Sequence, residues 1–160
     1  QFLDERDALL EGVFPESALM PGAERLVRHL AACGVPIAVA TGSHRHHFQL
    51  KTSRHTEFFA LFQAVVTGDM VPRAKPDPAI FVLAAASLGL AAPPAPAATL
   101  VFEDAPNGVQ AALAGGMRVV LVPYPGFPDE IAAGAGATQV LKSLEGFRPE
   151  EWGLPPFAEV

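Results

Sequence analysis

The sequence predicts an α/β fold: a parallel sheet with helices packed on both faces. Three observations predict it. Helical and strand-like patterns alternate along the chain, the order that βαβ units produce. The strand-like runs, such as VPIAVA at 35–40 and the LVF run at 100–102, are apolar without alternation, as in strands covered on both faces. Polar clusters follow these runs: Thr41-Gly42-Ser43 after the first, Gly68-Asp69 after the second, Glu103-Asp104 after the third. Open parallel sheets bind ligands at that carboxyl edge.

Taken in order, residues 1–12 place Phe2, Leu3, Leu9 and Leu10 between charges, an amphipathic helix ended by Gly12. A connector with Pro15 follows. Pro21-Gly22 opens a helix through Cys33 whose apolar stripe is Leu26, Val27 and Leu30, with Gly34 placed as its C′ residue. After the strand at 35–40, residues 44–62 read as two helical pieces. A second strand covers 64–67. The loop VPRAKPDP carries Lys75, and a helix at 79–88 stops at Gly89. The Pro/Ala spacer 91–98 reads as an exposed loop. A strand ending at Glu103, a helix at 106–114, a strand at 118–122, a short helix and a small strand near 138–141 complete the pattern. The tail 147–160 reads as irregular, pinned by Trp152 and Phe157.

The length of 160 residues predicts one domain with a real core. A net charge of −6 argues against binding a nucleic-acid backbone, which needs a basic face. The single cysteine, Cys33, excludes an intrachain disulfide and a multi-cysteine zinc site. No apolar run approaches the ~20 residues that span a bilayer, and no signal segment opens the chain. The expected location is the cytosol.

Glu103 and Asp104 are the leading chemical candidates. A carboxylate pair at a strand end offers the hard oxygen ligands that Mg²⁺ takes; equally, one of them caps the helix that Pro106 opens. Thr41 and Ser43 supply hydroxyls and Gly42 lets backbone N–H groups approach an anion at a helix start, with plain helix capping as the alternative. Lys75, between Ala74 and Pro76, either neutralises a phosphate or pairs with Asp104; a solvated loop lysine is the ordinary outcome. His44, His46, His47 and His55 invite a metal reading, but no carboxylate or cysteine set stands beside them, and a polar helix surface accounts for them. Asn107 and Gly108 read as substrate contacts or as helix-start residues.

Hydroxyl donors, one lysine and two carboxylates follow one another on successive βα loops. In VATGS, KPDP and VFEDAPNG this order resembles the second, third and fourth motifs of the haloacid dehalogenase-like hydrolase superfamily. MPGAERL, KTSRHTEFFALF, KPDPAIF, VFEDAPNGVQAAL and WGLPPF extend the resemblance over nearly the whole chain, toward its small nucleotide-phosphate hydrolases. Relatives tend to carry serine where Gly42 stands; backbone donation survives that departure. The resemblance implies a Rossmann-like parallel sheet and a magnesium-dependent phosphatase acting on a small phosphorylated nucleoside through an aspartyl-phosphate. Thr41, Gly42 and Ser43 would hold the phosphate. Lys75 would neutralise it as the catalytic lysine and orient Asp104. Asp104 would ligate Mg²⁺ with help from Glu103, and Asn107 would touch the substrate.

The superfamily's nucleophile belongs to a D-x-D motif at the end of its first, central strand. No D-x-D occurs in these 160 residues. The resemblance therefore implies that residues 1–13 are the remnant of a helical cap and that 14–160 are a core lacking its first strand, the nucleophile and most of the cap. Two apolar strand edges would then stand unpaired. Omitting about four large apolar side chains withholds roughly 6–12 kcal/mol of burial, at about 1.5–3 kcal/mol each, so the chain alone is expected to be marginal or aggregation-prone. The alternative reading is a catalytically inactive short product, either binding a partner through its open edges or simply unstable. Oligomeric state cannot be read from the sequence.

Overall fold

The computed structural model describes residues 12–158; the expected helix at 1–12 falls almost wholly outside them. The described residues form six α-helices: α1 (Ala23–Ala32), α2 (Arg45–Thr52), α3 (Thr56–Phe59), α4 (Ala79–Ala86), α5 (Pro106–Ala114) and α6 (Asp129–Gly134). They alternate with five strands: β1 (Ala38–Ala40), β2 (Ala64–Val66), β3 (Leu100–Glu103), β4 (Arg118–Leu121) and β5 (Gln139–Val140). All pairings are parallel, but they form two sheets, β1-β2 and β3-β4-β5. Among the described residues β1 pairs only with β2, and β3 only with β4.

Both sheets are covered on two faces, and the side chains divide between them with the strand period of two. Val119 and Leu121 of β4 enter the core built by α4 and α5, with Val66, Ile80, Val101 and Val109. Val120 and Val122 enter the opposite core with Leu26 and Leu30 of α1 and with Phe147. Ala38 and Ala40 pack against the first core and Val35 and Ile37 against the second, so the two sheets share both layers. This is why the sequence shows unbroken apolar runs.

Local hydrogen bonding explains where the elements depart from the sequence pattern. The run at 35–40 yields a strand only from Ala38. The Val35 N–H donates to Leu30 O (2.9 Å) and the Gly34 N–H to Ala31 O (3.0 Å), with Gly34 at φ 70°, a Schellman close to α1. Pro36 has no N–H, and the Ile37 N–H goes to Gln63 Oε1 (2.7 Å). The ladder instead continues past Ala40, where the Thr41 N–H donates to Val66 O (2.9 Å). In the spacer, Pro96–Ala98 make a 3₁₀ turn. The tail is less irregular than expected: Pro149–Trp152 is a 3₁₀ turn, Phe147 is fully buried against Phe102 and Trp152, and the Arg25 guanidinium lies 3.7 Å from the Phe157 ring centroid.

Candidate functional site

The carboxyl ends of β1 and β3 meet at Lys75. This lysine enters from the loop before α4, with a cis Lys75–Pro76 bond. Its ammonium donates to Ala40 O at 3.3 Å, to the Glu103 carboxylate, and lies 4.7 Å from the Phe81 ring centroid. One side chain thus bridges the last residue of β1 and the last residue of β3, although among the described residues those strands share no ladder. Lys75 and Glu103 are largely buried, with side-chain exposures of 13% and 7%. Burial raises the Glu103 pKa, opposed by the Lys75 charge, which favours the carboxylate. The partner of Lys75 is therefore Glu103, not the expected Asp104. The reason is direction: Glu103 is still in the strand and turns inward, whereas Asp104 follows it and is exposed.

Glu103 also fixes the start of α5. A Cβ on Gly108 would overlap the Glu103 carboxylate, so glycine there is a close-approach requirement. The Gly108 N–H donates to Ala105 O (3.1 Å) and lies 3.0 Å from Asn107 Oδ1. The Asn107 carbonyl oxygen thus lies beside the helix start, and the residue is exposed.

Loop 41–43 is tied down from within. The Ser43 N–H donates to Thr41 Oγ1 (3.1 Å) and Ser43 O accepts from the Gly68 N–H (2.9 Å). The Ser43 N–H is thus engaged within the loop, while the Thr41 and Ser43 hydroxyls keep their own protons. Gly42 is exposed, and a Cβ there would meet nothing within 4 Å. The glycine that the packing demands is Gly68, whose added Cβ would strike the Gly42 carbonyl. Lys51, from the last turn of α2, donates to Ser43 Oγ at 3.0 Å.

Thr41, Ser43, Lys75, Glu103 and Asp104 thus lie at neighbouring strand ends, with Asp104 the exposed carboxylate and Glu103 tied to Lys75. Mg²⁺ is commonly held by one or two carboxylates plus water and phosphate oxygens. Exposed Asp104 fits that role, with Glu103 beside it. Among the described residues there is no group of three His, Cys, Asp or Glu able to hold a metal ion. Two of the candidate histidines make structural contacts: His55 Nε2 lies 2.7 Å from Ser17 O, and His47 packs edge-on to Phe14 at 5.2 Å. Sequence reading missed Phe81, Lys51 and the Ala40 carbonyl, since their contacts follow no periodicity. Two surface grooves run along α1, one including Leu19, Arg54 and Phe58, the other Met20, Arg25 and Glu145; neither includes Thr41, Lys75 or Asp104. Among the described residues no helix is long and apolar enough to cross a membrane.

A parallel α/β core with a lysine and two carboxylates at its strand ends places its polar groups at the ligand-binding edge of an open α/β sheet. The chain belongs to the haloacid dehalogenase-like hydrolase family, whose model matches residues 2–116. It is 49% identical over 160 residues to (DL)-glycerol-3-phosphatase 2 of Arabidopsis thaliana, covering 99% of this chain and 65% of that protein. It is 46% identical over 162 residues to a probable pseudouridine-5′-phosphatase of Drosophila melanogaster, covering 99% of this chain and 68% of that one. A family hydrolase from Deinococcus radiodurans R1, solved with bound phosphate and sodium, superposes with a TM-score of 0.80 at 30% identity, covering 98% of this chain and 70% of that one. The chain thus spans about two thirds of the length of these relatives.

Proposed function

We propose that this chain is the larger part of a magnesium-dependent phosphatase that hydrolyses a small phosphorylated nucleoside, pseudouridine 5′-phosphate, in the cytosol. The observation that carries this reading is Lys75 joining the end of β1, next to Thr41, to Glu103 at the end of β3. The Thr41 and Ser43 hydroxyls, with Gly42 leaving room for approach, bind the phosphoryl oxygens. Lys75 holds Glu103 and supplies positive charge at the mouth of the loop. Asp104, with Glu103 beside it, holds Mg²⁺; that ion offsets phosphoryl charge and orients the substrate when bound. Asn107, exposed at the start of α5, contacts the substrate.

The attacking carboxylate is not among these residues, since no D-x-D is present. We place it on a further parallel strand between β1 and β3, two edges that share no ladder among the described residues. On this reading residues 14–160 are the hydrolase core and residues 1–13 belong to the cap. The relatives' names support a phosphomonoester substrate but divide over which one: glycerol 3-phosphate or pseudouridine 5′-phosphate. The missing D-x-D favours a second reading, an inactive product that binds a partner through the β1 and β3 edges.

Phosphate release is measured with the full-length protein on both substrates. Faster hydrolysis of pseudouridine 5′-phosphate is expected, lost in Asp104→Asn and on Mg²⁺ chelation. Preference for glycerol 3-phosphate overturns the substrate. Turnover by the 160 residues alone overturns the placing of the nucleophile, and no turnover by any form leaves the second reading in its place.

A further inference from the structure

We propose that Lys51 is a positioning residue for Ser43: it fixes the hydroxyl so that its proton is aimed at the bound anion. The inference rests on reading loop 41–43 as the phosphate-binding loop, and it adds a cation that none of the phosphate motifs contains.

Every polar group of Ser43 can be accounted for. Its N–H donates to Thr41 Oγ1 (3.1 Å) and its carbonyl accepts from the Gly68 N–H (2.9 Å). Its Oγ lies 3.0 Å from Lys51 Nζ. An ammonium has donors and no acceptor, so in that contact Ser43 Oγ accepts. The hydroxyl proton must then point elsewhere, and it is the one donor of Ser43 left for a ligand. A charged donor on the oxygen also polarises the O–H and strengthens it as a donor. Thr41 shows the same arrangement with a neutral donor: its Oγ1 accepts from the Ser43 N–H, which frees its own proton.

Lys51 is held for this task. It lies in the last turn of α2, eight residues after Ser43, so the helix returns it to the loop that precedes it. Its Nζ sits 4.5 Å from the Phe14 ring centroid, and Phe14 is braced edge-on by His47. Phe14 belongs to the 3₁₀ turn Phe14–Glu16, whose position is set in turn by Arg54 on Glu16 and His55 on Ser17 O. A cation confined by an aromatic face and one hydroxyl removes the orientations in which that hydroxyl's proton faces the ammonium. Loop 41–43 is thus bracketed by two ammonium groups, Lys75 on the carbonyl before it and Lys51 on the hydroxyl that ends it.

Calorimetric titration of the full-length protein with inorganic phosphate tests this. Lys51→Met is expected to weaken phosphate binding about tenfold, the effect of one charge-assisted hydrogen bond. Lys51→Arg restores most of it. Ser43→Ala weakens binding similarly, and the double variant Lys51→Met/Ser43→Ala binds no more weakly than Ser43→Ala alone, because the lysine acts through the hydroxyl. If Lys51→Met lowers the melting temperature, Lys51→Gln, which keeps an N–H donor without charge, is judged by the same cycle. Wild-type affinity in the Lys51 variants, or additive losses in the double variant, overturns the proposal while Ser43→Ala and Thr41→Ala still weaken binding. If those two variants also bind like wild type, the phosphate-loop reading itself falls.

Discussion

At the scale of single residues, the site is set by how closely side chains and backbone are forced together. The Glu103 side chain is largely buried, bonded to Lys75 and pressed against Gly108. Gly108→Ala separates two effects of opposite sign. Replacing a helical glycine by alanine ordinarily stabilises by up to about 1 kcal/mol. Here the new Cβ must displace the Glu103 carboxylate, and such overpacking costs about 1–3 kcal/mol. Net destabilisation is expected by urea unfolding; a variant as stable as wild type shows that Glu103 moves freely. The same contact explains what sequence reading could and could not see. The types and order of Thr41, Lys75, Glu103 and Asp104 were legible from their place after apolar runs. The choice of Glu103 over Asp104 as the partner of Lys75 was not, because only the packed structure says which of two adjacent carboxylates at a strand end turns inward.

At the scale of elements, the phosphate-loop candidate is clamped between the start of α2 and the turn after β2. Asp69 Oδ1 accepts from the Arg45 N–H (3.0 Å), so a residue 24 positions away caps α2. The Thr67 hydroxyl beside it, then the Asp69 and Arg45 N–H groups, hold the Asp69 carboxyl below its usual range. A carboxyl whose pKa is lower folded than unfolded stabilises above the unfolded value, near 3.8, and loses that stabilisation as pH falls through the folded value. Asp69→Asn is therefore expected to flatten the fall of the thermal midpoint below about pH 4. Parallel acid limbs for the variant and wild type would remove Asp69 from this role. Elements with a local signal were legible: α5 runs over 106–114 as its Pro106 start and Gly115-Gly116 end imply. The start of β1 was not, because Pro36 and the Gln63 side chain interrupt the ladder before Ala38.

At the scale of the whole molecule, the described residues form two parallel sheets that share two hydrophobic layers yet have no ladder between them. Edges in the middle of a fold are expensive, since their N–H and C=O groups need partners. The 160 residues alone are therefore expected to melt broadly or aggregate at micromolar concentration, read by circular dichroism and light scattering. A sharp, reversible two-state melt at that concentration would show that shared helix packing is enough. The sequence by itself determined the alternation of elements, the two-sided burial and the order of polar residues on successive loops, because periodicity and turn chemistry are local. The tertiary structure alone decided that the described residues make two sheets, that Lys75 joins them through Glu103, and that Lys51 reaches Ser43. Those outcomes depend on which distant backbone and side-chain groups satisfy one another, and that is settled only when the layers pack.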